Sequence, residues 1–343
     1  IDHVRLMAVD HRRGVEIHST DKLMAPPFPA SQPRAVGSVI LATRVDGDDG
    51  IDRTAAVQRI DGQFAPTGPS LLPPLRGVGR PHSLTLEFGQ IDPSRPLVLA
   101  LTGWIDSGTS SSNIGAAQNG SVTMIPPRLE AQTANGPWVT IETNVGMPAG
   151  KNKTILCDLE SKLPRGTERL RLTGTYMIHW DRIALFEKQA LPAGRIHTLQ
   201  PGAADLAWRG VSDLRSRAPG HAPTPDFYQV SDVPAWPFAA QGWCTRYGDV
   251  EELTAARDGQ LVVLNAGDVL TIDYPADMLP PVAAGMARTF LLHTAGWVKE
   301  GDYNSASGDR VEPLPVPAGV TQVSDDWRLR YNTRWVPFDR FAR

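Results

Sequence analysis

Apolar and polar residues alternate with a period of two along much of this chain. In SLTLEFG (83–89), Leu84, Leu86 and Phe88 fall on one side and Ser83, Thr85 and Glu87 on the other, the pattern of a strand with one packed and one wetted face. Leu170 and Leu172 alternate with Arg169 and Arg171, Val139 and Ile141 alternate with Trp138 and Thr140, and Ile183 and Leu185 follow in RIALFE. Each predicts a strand with one wet face. Around 176–181 the same alternation sets Tyr176, Ile178 and Trp180 against His179 and Asp181, which makes His179 a surface or rim residue. Helical spacing is weak, with short candidates only near 203–207 and 250–257, neither longer than about three turns. The 31 glycines and 30 prolines interrupt the chain often, and both residues disfavour helix interiors. The expected fold is mainly β: two β-sandwich, jelly-roll-like domains preceded by a Pro-rich N-terminal arm.

Texture along the chain sets the expected boundaries. Residues 1–80 hold one good strand candidate, VRLMAVD, and then MAPPFPASQP and TGPSLLPPLRG. Proline at this density predicts an extended arm packing on both later domains. Leu6, Met7, Val9, Phe28, Val39, Ile40, Leu41 and Phe64 distinguish it from a disordered tail, because they need burial. A first sandwich is expected over 81–188 and a second over 189–343, ending in a tail rich in Arg and aromatic residues. LVLALTGWIDSG (97–108) echoes FLLHTAGWVKEG (290–301). Either the sandwich is duplicated or a strand-end turn recurs by chance, since a secure repeat needs a fixed period of about 20 to 50 residues.

Composition narrows the function classes. With 343 residues, 41% hydrophobic, 21% charged and a net charge of −3, the chain is long enough for two cores and has no basic excess for a phosphate backbone. Nucleic acid is therefore not expected as a partner. Lysine occurs only at positions 22, 151, 153, 162, 188 and 299, so arginine supplies most of the positive charge and favours fixed, bidentate or stacked contacts. The longest apolar runs, such as 97–101 and 261–264, are far short of the roughly 20 residues that span a bilayer, and no transmembrane segment is expected. The opening IDHVRLMAVD lacks an initiator Met and a signal-peptide pattern and reads as a cut end. Cys157 and Cys244 stand far apart, either as one long-range disulfide or as two buried free thiols.

Motifs for chemistry are sparse. The eight histidines form no HExxH or HxH, so a zinc site would need distant segments. Ser110, Ser111 and Ser112 lack the GxSxG elbow of an exposed nucleophile and read as hydroxyl-rich turns. RGVGRP (76–81) is not a dinucleotide fingerprint. The one metal-like signal is VDGDDGID, where Asp46, Asp48, Asp49 and Asp52 flank two glycines. It is either a structural calcium loop or a solvated acidic turn. An EF-hand is excluded because its twelfth position falls on Val57. GDYNSASGDRVE offers a second loop with Asp302, Asn304, Asp309 and Glu312. In the terminal WRLRYNTRWVPFDRFAR, Trp327, Tyr331 and Trp335 are interspersed with Arg328, Arg330 and Arg334. These residue types dominate interface hot spots, so the six are the candidate partner-binding residues, although the tail could also fold back on its own domain.

Two sets of residues resemble known families. RLEAQTANGPWVTIET and GTERLRLTGTYMIHWDRIALFE resemble the discoidin-like, galactose-binding-type β-sandwich. AVDHRRGVEIHSTDKLMAPPFP, GWIDSG, MPAGKNKT, TRYGDVEEL and GDYNSASGDRVEPLP are similar, in that order, to the C-terminal region of bacterial proteins bearing FG-GAP and ASPIC/UnbV segments, related to cartilage acidic protein. The FG-GAP repeats and the ASPIC segment are absent from this sequence. The resemblance implies an extracytoplasmic (periplasmic, cell-envelope or secreted) protein in adhesion or assembly, with no established reaction and no catalytic residue. The expected function is therefore a non-catalytic binding or scaffold module docking to a protein partner as an accessory subunit. The alternative is a glycan-binding module with a structural calcium; an enzyme with a dispersed Asp/His site ranks last.

Overall fold

The computed structural model describes residues 1–68, 71, 77–106, 108–134, 136–150, 152–215, 224–232, 240–299, 305–316 and 325–337. The fold is mainly β. In chain order the first strands are β1 (His3–Arg12), β2 (Glu16–Ser19), β3 (Pro33–Leu41), β4 (Arg44–Gly47), β5 (Val78–Glu87), β6 (Leu97–Ile105), β7 (Arg128–Thr133), β8 (Val139–Glu142), β9 (Lys153–Asp158), β10 (Thr167–Tyr176) and β11 (Ile178–Gln189). There follow β12 (Ile196–Leu199), β13 (Ala203–Trp208), β14 (Val211–Arg215), β15 (Thr224–Ser231), β16 (Gly242–Cys244), β17 (Gly248–Asp249), β18 (Asp268–Asp273), β19 (Met286–Ala295) and β20 (Arg334–Val336). The helices are α1 (Ser110–Gln118), α2 (Glu251–Thr254) and α3 (Asp326–Tyr331). The chain divides into two compact units, one of Ile1–Ala8, Ile196–Val282 and Phe290–Arg343, the other of Val9–Arg195 and Ala283–Thr289.

The second of these units holds two five-stranded antiparallel sheets, ordered β4-β5-β10-β7-β8 and β2-β3-β11-β6-β9. Their inner faces share one core. Leu84 and Leu86 from β5, Leu170 and Leu172 from β10 and Leu129 from β7 meet Leu99 and Leu101 from β6, Ile155 from β9 and Ile183 and Leu185 from β11. Each such side chain, fully buried, contributes about 1.5–3 kcal/mol. The alternation in β5 and β10 is realised as expected: Leu84 and Leu86 are buried, while Arg169 pairs with Glu87 at 3.0 Å on the outer face. The outer face of the other sheet is not wet. Val98 and Ala100 of β6 pack there with Ala184 and Phe186 of β11 and Val36 of β3, so RIALFE is buried on both sides. This also accounts for the unbroken apolar run LVLAL, since a strand covered on both faces has no polar side to alternate.

Most of TGPSLLPPLRG lies outside the described residues; the described part of the N-terminal segment enters sheets of both units rather than lying across them as an extended arm. β2 and β3 form one end of the second sheet and β4 the edge of the first, while Ile1–Ala8 belongs to the other unit. The prolines fit because Pro33 only opens its strand, where a missing N–H costs no ladder bond. Met7 and Val9 are buried as expected, but Phe28, Val39 and Leu41 are exposed. The serines at 110–112 begin α1 rather than a turn: the Thr109 side chain caps the helix by accepting from Ser112 N, a standard N-cap bond.

The unit built mainly from the second half of the chain has smaller sheets, β12-β1-β19, β17-β13-β18, β14-β15 and β16-β20. β1 and β19 each run through the division between the units. Ala203–Trp208, a helix candidate by spacing, is β13, with Ala204 and Leu206 buried between exposed Ala203 and Asp205. Its core joins Ala204 and Leu206 to Val250, Leu253, Leu261, Val262, Trp327 and Tyr331. The two GW segments are not equivalent, since β6 lies inside a five-stranded sheet and β19 at the edge of a three-stranded one. Cys157 and Cys244 lie in different units and are buried free thiols.

Candidate functional site

The six terminal candidates separate into core and surface. Trp327 and Tyr331 are one helical turn apart in α3 and only 4% and 6% exposed, so both rings are spent on their own unit. Tyr331 Oη donates to Glu252 Oε2 at 2.8 Å, and Arg330 also pairs with Glu252. Arg328 contacts Glu312 at 3.7 Å and Asp325 at 3.5 Å. The tail thus folds back at α3. Of the six, Arg330 and Trp335 are exposed and Arg328 and Arg334 half-buried.

Trp335 does not stand alone. β16 and β20 pair so that Trp335 is directly opposite Trp243. Cys244 and Val336 turn inward onto Val311, which by alternation sends both indoles outward. Each Trp is 49% exposed, and the rings meet edge to face at 5.2 Å and 68°. Gly242 makes the close approach feasible: its φ is +146°, and a Cβ there would lie 2.8 Å from Val311 Cβ. Next to the pair, Arg334 donates to Thr245 O at 2.9 Å and to Asp268 Oδ2 at 2.5 Å, and lies 4.3 Å over the Tyr247 ring. Tyr247 Oη donates to the other oxygen of Asp268 at 2.9 Å. The Asp268 side chain is wholly buried, so the arginine and tyrosine are anchored from below. This is a rigid patch of two indoles, a phenol and a guanidinium. No family model matches the chain, and no curated protein shows detectable similarity to it. Trp243 escaped the sequence reading because nothing in GWC links it to a strand some ninety residues later.

The acidic loop does not gather its carboxylates. Asp46 takes both Nε and Nη2 of Arg44, Asp49 takes Ile51 N and Arg53, and Asp52 takes Thr54 N. Hydrogen bonds from Thr54 hold Asp52 below the usual carboxylate range. Asp48 contributes its backbone N–H to Ser83 O. In the second loop Asp302 and Asn304 lie outside the described residues, and Glu312 accepts from Leu314 N. Among the described residues no three His, Cys, Asp or Glu side chains come together to hold a metal.

His179 is buried rather than at the rim. Its ring stacks on Trp104 with centroids 4.1 Å apart and planes 11° apart, and Nε2 lies 3.5 Å from Asp106 Oδ2. Phe64 meets both rings edge-on, at 6.0 and 6.1 Å. A β-bulge follows immediately: Trp180 pairs with Gly103 and Arg182 with Thr102, leaving Asp181 as the extra residue. Bulges redirect side chains. Asp181, fully buried, accepts from Asp61 N, Gly62 N and Asn152 Nδ2, and so ties down the loop that carries Phe64. Two recesses open elsewhere in this unit. One, only large enough for a water at about 20 Å³, is lined by Pro66, His82, Leu84, Pro127, Tyr176 and Trp180 among others, without a carboxylate. The other, about 470 Å³ and wide open, has Asp92 as its sole carboxylate. Neither combines a histidine with two carboxylates. Among the described residues no helix is long and apolar enough to cross a membrane.

Proposed function

We propose that this chain is a non-catalytic binding module that docks on a protein partner through the Trp243–Trp335 patch. The single observation that carries the reading is the pair of half-exposed indoles held on a rigid base beside Arg334 and Tyr247. Trp, Tyr and Arg are the residues that concentrate binding energy in interfaces, and a patch already fixed in the free protein loses little side-chain entropy on docking. The resemblance to C-terminal regions of FG-GAP and ASPIC/UnbV proteins supports an extracytoplasmic location and an accessory role in a larger assembly. A glycan platform is the second reading, but indoles tilted by 68° offer no common plane for a sugar ring.

The test is affinity purification from the native source of wild type and of a Trp243→Ser/Trp335→Ser double variant, with the fold checked by circular dichroism. A partner recovered in stoichiometric amount with wild type and lost from the folded variant supports the proposal. Equal recovery of the same partner by both overturns it. Envelope fractionation of the wild-type strain tests the location independently.

A further inference from the structure

A second feature of the same unit lies apart from the Trp patch. His3 and Arg5 are two residues apart on β1 and so project from one face of the strand. His293 on the neighbouring strand β19 places its ring centroid 5.9 Å from that of His3, with the planes at 58°. Arg257, just beyond α2, is near enough for its charge to act on His3. Arg5 is half-buried, its Nε is sealed from solvent without an acceptor, and no carboxylate pairs with it among the described residues. Arg257 likewise has no ion pair there. The nearby acid is Asp2, fully buried, with Oδ1 taken by Gly259 N. His197 lies on β12, the strand on the other flank of β1. Burial first, and then the charges of Arg5, His293 and Arg257, hold His3 below the usual histidine range, with Asp2 pulling the other way.

We propose that this corner binds an oxyanion of the sulfate or phosphate type, with Arg5 as its principal ligand and His3, His293 and Arg257 around it. A tetrahedral oxyanion supplies the anionic partner that the half-buried guanidinium lacks, and two of its oxygens fit the guanidinium fork. Its negative charge also raises the proton affinity of His3. Binding therefore takes up protons, and affinity rises as the pH falls below neutrality.

Isothermal titration of the full chain with sodium sulfate tests this, because sulfate keeps the same charge from pH 8 to pH 6. The expected result is saturable binding that tightens several-fold from pH 8 to pH 6 and weakens about tenfold or more in Arg5→Met, as loss of a charge-assisted bond requires. Arg257→Ser, at an exposed position that cannot unfold the core, should weaken it by a smaller factor. A sulfate monoester titrated in parallel separates the sources: tighter binding than sulfate indicates an esterified ligand, and equal binding indicates the free anion, both within the proposal. Absence of saturable sulfate binding to wild type, or equal affinity in wild type and both variants, would overturn it.

Discussion

Glu16→Gln probes the strongest resolved electrostatic feature of the sandwich. Arg182 Nη1 and Nη2 donate to the two oxygens of Glu16 at 2.9 and 2.6 Å, and His18 Nε2 lies 2.9 Å from Oε2. Burial pushes the Glu16 carboxyl up, but the hydrogen bonds from His18 and Arg182 outweigh it and hold the group at about 2, against an ordinary 4.5. That gap is worth roughly 3 kcal/mol at about 1.36 kcal/mol per pH unit. The side chain is 37% exposed, so solvent screening reduces the figure to about 1–1.5 kcal/mol. Because the carboxyl is held below its unfolded value, its contribution is full above about pH 4.5 and fades as the pH falls through 2. Urea unfolding of wild type and Glu16→Gln should thus differ by about 1–1.5 kcal/mol, equally at pH 7 and pH 5. Native-state hydrogen exchange at β2 and β11 amides should report the same difference locally, shrinking below pH 4. No difference at pH 7, or one that grows as the pH drops from 5 to 3, would refute the reasoning.

Three further outcomes are expected. Lys22 Nζ donates to Val145 O at 2.9 Å and Leu156 O at 3.3 Å, so Lys22→Met strands two carbonyls and should lower stability by about 1–3 kcal/mol in urea unfolding. Trp327→Ala removes a core ring and should cost about 3–5 kcal/mol, whereas Trp335→Ala should cost under about 1 kcal/mol and act on docking instead; paired thermal melts separate the two. Burial pushes the Cys157 thiol up to about 11, and both cysteines are buried, so a disulfide-exchange reagent at pH 8 should titrate almost no thiol in the native chain and two in urea.

Period-two alternation was legible in β5 and β10, where one face is wet and solvent demands polar residues at every second position, but not in the short β13, whose small residues also fit a helix. Alternation misled where both faces are covered. In β11 the alternation of Ile178 and Trp180 with His179 implied a wet face for His179, but Trp104 and Phe64 cover that ring and the Asp181 bulge shifts the register beyond it. The dense prolines of the first eighty residues obscured β2, β3 and β4, of which β3 pairs with β11 and β4 with β5, both well along the chain. In the tail, Trp327 and Tyr331 are four apart, the spacing of one helix face, and that spacing was the available signal that both rings turn the same way into a core. The pairing of Trp335 with Trp243 had no local signal, since cross-strand partners are fixed only when the sheet forms.

The preference for arginine over lysine makes physical sense once the partners are known. Arg182 grips Glu16 with two bonds, Arg288 grips Asp10 in the same way at 2.7 and 2.9 Å, and Arg171 bonds Glu130 at 2.7 Å while covering the Trp138 ring at 4.3 Å. A planar fork satisfied on two edges has few alternative rotamers, so each such residue fixes the loop or strand it touches, which a lysine with one mobile ammonium would do less well. Arg334 follows the rule, and by clamping Asp268, Thr245 and Tyr247 it removes freedom from the surface on which Trp243 and Trp335 stand. Arg5 breaks it. Among the described residues the other half-buried guanidinium groups meet an acid, a carbonyl or an aromatic face, so Arg5, with no such partner, is the position where the proposed oxyanion would supply one.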